Sequence, residues 1–187
     1  MATRFVLGGA RSGKSRFAIA AASGAAARPS DATGVVFIAT ARPCDPDMAA
    51  RIARHRAERP RDWITIEEPF DLVERLDALP PGTHAVIVDC LTLWVANLQL
   101  RGDPEDAIVE RARALARRIR ACPADLTVVS NEVGEGVHPE TRAGLTFRDL
   151  LGQVNQEVAA ASETVVLMVA GLPLTVKSPV LDARPAP

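Results

Sequence analysis

Short continuous runs of Val, Ile, Leu and Phe alternate along the chain with longer stretches in which apolar residues recur every three or four positions. The runs are RFVLG (4–8), GVVFIA (34–39), HAVIVDC (84–90), LTVVSN (126–131) and TVVLMVAG (164–171). Mostly continuous rather than alternating, they predict strands covered on both faces. WITIEE (63–68) is a weaker strand candidate, suited to an edge. Helical patterns fall near 14–26, 46–58, 70–78, 91–101, 105–121 and 141–161. In the fifth, Ile108, Ala112, Leu115 and Ile119 form a core-facing stripe. The arginines around that stripe (Arg111, Arg113, Arg117, Arg118 and Arg120) then read as a solvated face, not a nucleic-acid surface. Strands alternating with helices imply right-handed crossovers and a three-layer α/β fold around a mostly parallel sheet. PSDATG (29–34) and LPPGTH (79–84) read as surface loops. Residues 1–177 read as a single catalytic domain, and SPVLDARPAP (178–187) as a loose tail.

Composition narrows the picture. A chain of 187 residues, nearly half of them apolar, suits one domain with a sizeable core. Lys plus Arg (22) nearly balance Asp plus Glu (23), so no overall field recruits nucleic acid or membrane. Aromatic residues are scarce and Tyr is absent, which argues against a base-stacking platform. Cys44, Cys90 and Cys122 lie far apart with no CxxC spacing, as expected of unpaired thiols in a reducing cytoplasm. No signal-peptide pattern and no membrane-spanning apolar run is visible, so a cytoplasmic location is expected.

The strongest chemical signal is Gly8-Gly9-Ala10-Arg11-Ser12-Gly13-Lys14-Ser15, a full G-x-x-x-x-G-K-S between a predicted strand and a predicted helix. It predicts a P-loop NTPase fold of the RecA-like kind. Glycines let the backbone approach phosphate oxygens closely, and the amides of the helix start face an anion. Lys14 supplies charge at the outer phosphates, and Ser15 is a magnesium ligand candidate. Asp89, at the carboxyl end of HAVIVDC, is the candidate acid near that metal, although an Asp closing a strand is also ordinary turn chemistry. Thr40, Asn131, Glu132 and Gly171 end other predicted strands and should gather at the same sheet edge.

Of the three histidines, His84 opens a strand and His138 lies beside Pro139, both suited to structural or solvated roles. His55 sits on a helix capped by Asp45-Pro46, sharing a face with Met48 and Ile52. Arg51 and Arg59 lie one turn on either side of it. Between two guanidiniums an imidazole is a poor home for a proton and a good nucleophile toward phosphorus. On spacing alone, a packed or interface histidine is the more economical reading.

Taken together, GGARSGKSR (8–16), IAT (38–40), DMAARIARHR (47–56), DCLTLWVANL (89–98), SNEVGEGVHPE (130–140) and FRDLLGQVNQ (147–156) resemble the bifunctional adenosylcobinamide kinase/adenosylcobinamide-phosphate guanylyltransferases of cobalamin biosynthesis. The similarity runs in order from the P-loop to about Lys177. It implies phosphorylation of adenosylcobinamide by ATP or GTP, then transfer of GMP from GTP to adenosylcobinamide phosphate, with magnesium and release of pyrophosphate. His55 matches the family's GMP-carrying histidine. Gly8 to Ser15 match its phosphate loop, and Ala39, Thr40 and Ala41 a nucleotide-contacting strand end. Arg56, Ala57, Glu58 and Arg59 match a segment beside the histidine, and Glu67 and Asp89 acidic positions near the nucleotide. Some relatives carry Glu at the position of Asp89, and some carry two adjacent histidines where this chain reads Arg54-His55. A homotrimer is also implied.

Two other readings compete: a P-loop kinase of another small alcohol with a structural His55, and a nucleotide-dependent regulatory ATPase. A signalling GTPase is disfavoured, because no N-K-x-D segment is present.

Overall fold

The computed structural model describes residues 1–26 and 34–179. Most of the expected PSDATG loop, and the tail from 180 onward, lie outside the described residues. One seven-stranded sheet organises the rest, in the order β3-β2-β4-β5-β1-β6-β7. Its strands are β1 (Thr3–Gly8), β2 (Gly34–Ala39), β3 (Ile64–Glu67), β4 (Thr83–Asp89), β5 (Asp125–Val129), β6 (Thr164–Val169) and β7 (Leu172–Lys177). All neighbours pair in parallel except β6 and β7. The helices are α1 (Lys14–Ala26), α2 (Pro46–Ala57), α3 (Leu72–Asp77), α4 (Leu91–Arg101), α5 (Glu105–Arg120) and α6 (Arg142–Ala161).

The continuous apolar strands are buried because helices cover both faces. Phe5, Val36, Ile38, Val86, Val88 and Val128 point into one core with α3, α4, α5 and α6. Val35, Phe37, Ala85, Ile87 and Val129 point the other way, against Ala18 and Ala22 of α1. The α5 stripe is buried as its spacing predicts. Its arginines hold neighbouring elements: Arg111 pairs with Asp71 and Asp103, Arg113 with Glu157, and Arg118 with Asp77. These are structural ion pairs on a solvated face.

The weak WITIEE segment supplies β3, the edge strand. At the other edge the sequence reading needs correcting. TVVLMVAG does not run as one strand to Gly171: β6 stops at Val169, and Ala170 and Gly171 turn the chain with φ of 51° and 84°. Two consecutive left-handed residues make a tight hairpin, and β7 returns antiparallel. That turn reaches the phosphate loop, where the Gly171 amide donates to the Ser12 carbonyl at 3.0 Å.

Candidate active site

The chain leaves β1 at Gly8 and enters α1 at Lys14, and the geometry of the turn dictates two of its glycines. Gly8 has φ of 149°, and a Cβ there would stand 2.6 Å from the Met168 carbonyl oxygen and 2.7 Å from Ser12 Oγ. Gly13 has φ of 97°, and its Cβ would meet Gly171 Cα at 3.3 Å. Neither position accepts another residue without strain. Gly9 is different: a Cβ would meet nothing within 4 Å, so the protein itself does not demand glycine there. Gly9, Ala10 and Arg11 form the exposed tip, and Ser12 is buried.

Lys14 folds back over the loop, donating to the carbonyls of Gly8 at 2.8 Å and Gly9 at 2.7 Å. Burial lowers its pKa from the ordinary lysine value; Cys90 and Asp89 pull it up, and Arg51 pushes it down. Ser15 Oγ donates to Asp89 Oδ2 at 3.0 Å, joining the start of α1 to the end of β4. Thr40 does not face the cleft. Fully buried, its hydroxyl accepts from the Cys90 amide at 2.8 Å and donates to the Cys90 carbonyl at 2.7 Å. Its own carbonyl accepts from Asn97 at 2.8 Å. Thr40 therefore pins the segment that presents Asp89.

Helix α2 starts as the sequence predicts, with Asp45 accepting from the Met48 amide at 2.7 Å and Pro46 in the first turn. Met48, Ile52 and His55 turn inward, yet no residue of α2 is buried. His55 Nδ1 lies 3.7 Å from Glu58 Oε2, beyond hydrogen-bond reach. Arg56 and Glu67 stand 3.8 Å apart in a largely exposed pair of little energetic weight. Just past α2, the Arg59 guanidinium stacks on Phe37 at 3.6 Å from the ring centroid and reaches Thr65 Oγ1 at 3.4 Å. Its Nε is buried without a hydrogen-bond partner. Burial lowers the Arg59 pKa, Asp89 opposing. A desolvated guanidinium with a spare donor is the complement of an anion.

Beside Ser15 opens one cleft of about 650 Å³, its open mouth included, which Gly8 to Lys14 do not line. Its walls bring together Ser15, Ala39, Ala41, Arg51, His55, Arg56, Arg59, Glu67 and Asp89. Of the residues expected around the histidine, Ala57 lines instead an adjoining surface groove that shares Arg56, Arg59 and Thr65 with the cleft. Glu58 is exposed. Thr65, Cys90 and Leu93 also line the cleft and were not singled out from sequence. Thr65 precedes Glu67 by two on one strand, so the period of a strand was the available signal. His84 and His138 lie outside the cleft, the first accepting from the Gly34 amide at 3.3 Å, the second, exposed, meeting Arg148 at 3.1 Å.

A strand feeding a glycine turn, a lysine closing it and an acid from the next strand but one holding the loop serine define a protein of the P-loop NTPase fold. The chain belongs to the cobinamide kinase / cobinamide phosphate guanyltransferase family, whose model matches residues 4–176. Among curated relatives, the bifunctional adenosylcobalamin biosynthesis protein CobP of Pseudomonas aeruginosa is 43% identical, covering 92% of this chain and 95% of its own. The bifunctional adenosylcobalamin biosynthesis proteins CobU of Escherichia coli and Salmonella typhimurium are 39% and 40% identical, each alignment covering 92% of this chain and 98% of the relative.

Proposed function

We propose that this protein phosphorylates the terminal hydroxyl of adenosylcobinamide with ATP or GTP and then transfers GMP from GTP to the new phosphate, giving adenosylcobinamide-GDP and pyrophosphate. The observation that carries the reading is the meeting of His55 with Ser15 and Asp89 across one cleft, in a chain of this family. Phosphoryl transfer needs little from the protein beyond positioning and charge. The Gly8–Ser15 loop holds the phosphates, and Lys14 exchanges its carbonyl partners for phosphate oxygens. In guanylyl transfer a ring nitrogen of His55 attacks the α-phosphorus and pyrophosphate leaves. The phosphate of the second substrate then attacks the same phosphorus and releases the histidine. Arg51 and Arg59 supply positive charge as charge builds on the departing group.

The residues present fit magnesium. A hydroxyl and a carboxylate oxygen 3.0 Å apart at the mouth of the phosphate loop are the hard donors it takes, so Ser15 and Asp89 would hold it. When bound, it offsets the negative charge of the phosphates. A cytoplasmic location belongs to this reading; no helix among the described residues is long and apolar enough to cross a membrane. A homotrimer is part of the same reading. Val169, Leu172, Leu174 and Val176 on the β6–β7 edge are exposed and suit a contact between copies, which light scattering tests.

The deciding experiment uses GTP labelled at the α-phosphorus. Incubated with magnesium and denatured, the protein should carry acid-labile, base-stable label that is absent from His55→Ala. No label on folded, nucleotide-binding protein would leave a simple kinase or ATPase.

A further inference from the structure

We infer that Glu132 is the general base of the phosphoryl-transfer step, accepting the proton of the substrate hydroxyl; the inference rests on the function proposed above. The topology places it. β5 lies between β1, which ends in the phosphate loop, and β4, which ends in Asp89. The chain leaving β5 must therefore pass between the loop and the acid. Its backbone is tied to both. The Ser130 amide donates to Val6 O at 3.0 Å, and the Glu132 amide to Gly8 O at 3.3 Å. That Gly8 carbonyl is the one Lys14 Nζ reaches at 2.8 Å, so Glu132 and the catalytic lysine share an anchor. On the other side the Asn131 amide donates to Thr92 Oγ1 of α4 at 2.8 Å, and Asn155 of α6 donates to Asn131 O at 3.1 Å.

The side chain has one local anchor. Glu132 Oε1 accepts from the Gly134 amide at 2.8 Å, and a Cβ on residue 134 would crowd that oxygen at 3.1 Å. Gly134 thus lets the carboxylate fold over its own loop. Oε2 makes no hydrogen bond or ion pair among the described residues, so one acceptor is fixed and the other is unspent. The neighbouring acids are committed elsewhere. Asp89 receives Ser15, and Glu67 lies beyond β2 on edge strand β3, facing Arg56. Both His55 and Glu132 lie on the β5 side of the loop, Glu132 beside it at the end of β5 and the histidine farther off toward β2 and β3.

In the step itself the hydroxyl proton passes to Glu132 Oε2 while the hydroxyl oxygen bonds to the γ-phosphorus. The bond from that phosphorus to the β–γ bridging oxygen breaks, and its electron pair leaves with the nucleoside diphosphate.

The test separates the two half-reactions in Glu132→Gln, whose amide oxygen still accepts from Gly134. Phosphorylation of adenosylcobinamide should fall roughly a hundredfold or more in kcat. Labelling of His55 from α-labelled GTP, and GMP transfer to ready-made adenosylcobinamide phosphate, should stay within about threefold of wild type. Glu132→Asp should recover part of the lost phosphorylation. Unchanged phosphorylation in Glu132→Gln overturns the inference. A parallel fall of all three readouts also overturns it, making Glu132 a support of the loop. Wild-type protein that labels His55 but does not phosphorylate adenosylcobinamide removes the kinase reading, and this inference with it.

Discussion

The phosphate loop, which reaches the cleft through Ser15, and helix α2, which walls it through Met48, Arg51, Ile52 and His55, are held in opposite ways. Lys14, Glu132, Gly171 and Asp89 tie the loop to itself, to the end of β5, to the β6–β7 turn and to the end of β4. At positions 8 and 13 the surrounding atoms leave no unstrained space for a Cβ. Helix α2 has an N-cap and an inward apolar pair, but no buried residue and no extensive packing against another element. Its ion pair to β3, Arg56–Glu67, is exposed. A prebuilt cradle spares the nucleotide the cost of ordering its site, whereas a lightly seated helix can change position at little cost. One phosphate site can then serve chemistry at two phosphorus atoms if the histidine is brought in for only one of them.

The sharpest way to break this comparison is to remove the histidine. His55→Ala should lose GMP transfer by roughly a thousandfold or more while phosphorylation of adenosylcobinamide stays within about threefold. Equal loss of both would make α2 part of the phosphate cradle. The next is to immobilise the helix. Ala53 of α2 and Thr65 of β3 line one surface groove. Joining Ala53→Cys to Thr65→Cys with a short thiol crosslinker, in a Cys44→Ser background, should abolish labelling from α-labelled GTP and spare nucleotide binding. Labelling at the uncrosslinked rate would show that α2 works where it stands.

What could be read in the sequence was what depends on neighbours along the chain. The G-x-x-x-x-G-K-S turn, the Asp45-Pro46 helix start and the inward face of His55 are local patterns, and each is found in place. Asp89 was found because strand ends in a parallel sheet share an edge. The β6–β7 hairpin was missed because Ala170-Gly171 lacks the usual Asn or Asp before Gly, and Pro173 argues against a strand. β7 accepts proline because it is an edge strand. The turn of the Thr40 hydroxyl away from the cleft could not be read, since its direction is set by Cys90, far away in sequence. The setting of Glu132 was hidden for a similar reason, because it follows from β5 lying between β1 and β4.

Steric demand gives a smaller effect that sharpens the same contrast. Gly8→Ala meets a carbonyl oxygen at 2.6 Å in a left-handed backbone, and should cost about 2–3 kcal/mol of stability. Gly9→Ala meets nothing within 4 Å and should stay within about 0.5 kcal/mol of wild type. Urea unfolding of the two variants measures the difference. Equal destabilisation would mean that the loop tip is as tightly held as its base.

The smallest expected effect reports on α2 directly. Cys90 lines the cleft that α2 covers, and its thiol is pushed up to about 11 by burial, with Asp89 adding to the shift. At pH 8 it stays protonated and should react slowly with iodoacetamide, while exposed Cys44 is alkylated readily. Peptide mass spectrometry over time reads both sites at once. Asp45→Ala removes the α2 cap, worth about 1 kcal/mol, and should speed the Cys90 reaction severalfold through fraying of the helix start. A native Cys90 rate equal to that of Cys44 would mean that α2 gives no cover even at rest. A Cys90 rate unchanged by Asp45→Ala would mean that the cover comes from the body of the protein, and the contrast between rigid cradle and loose helix would lose its support.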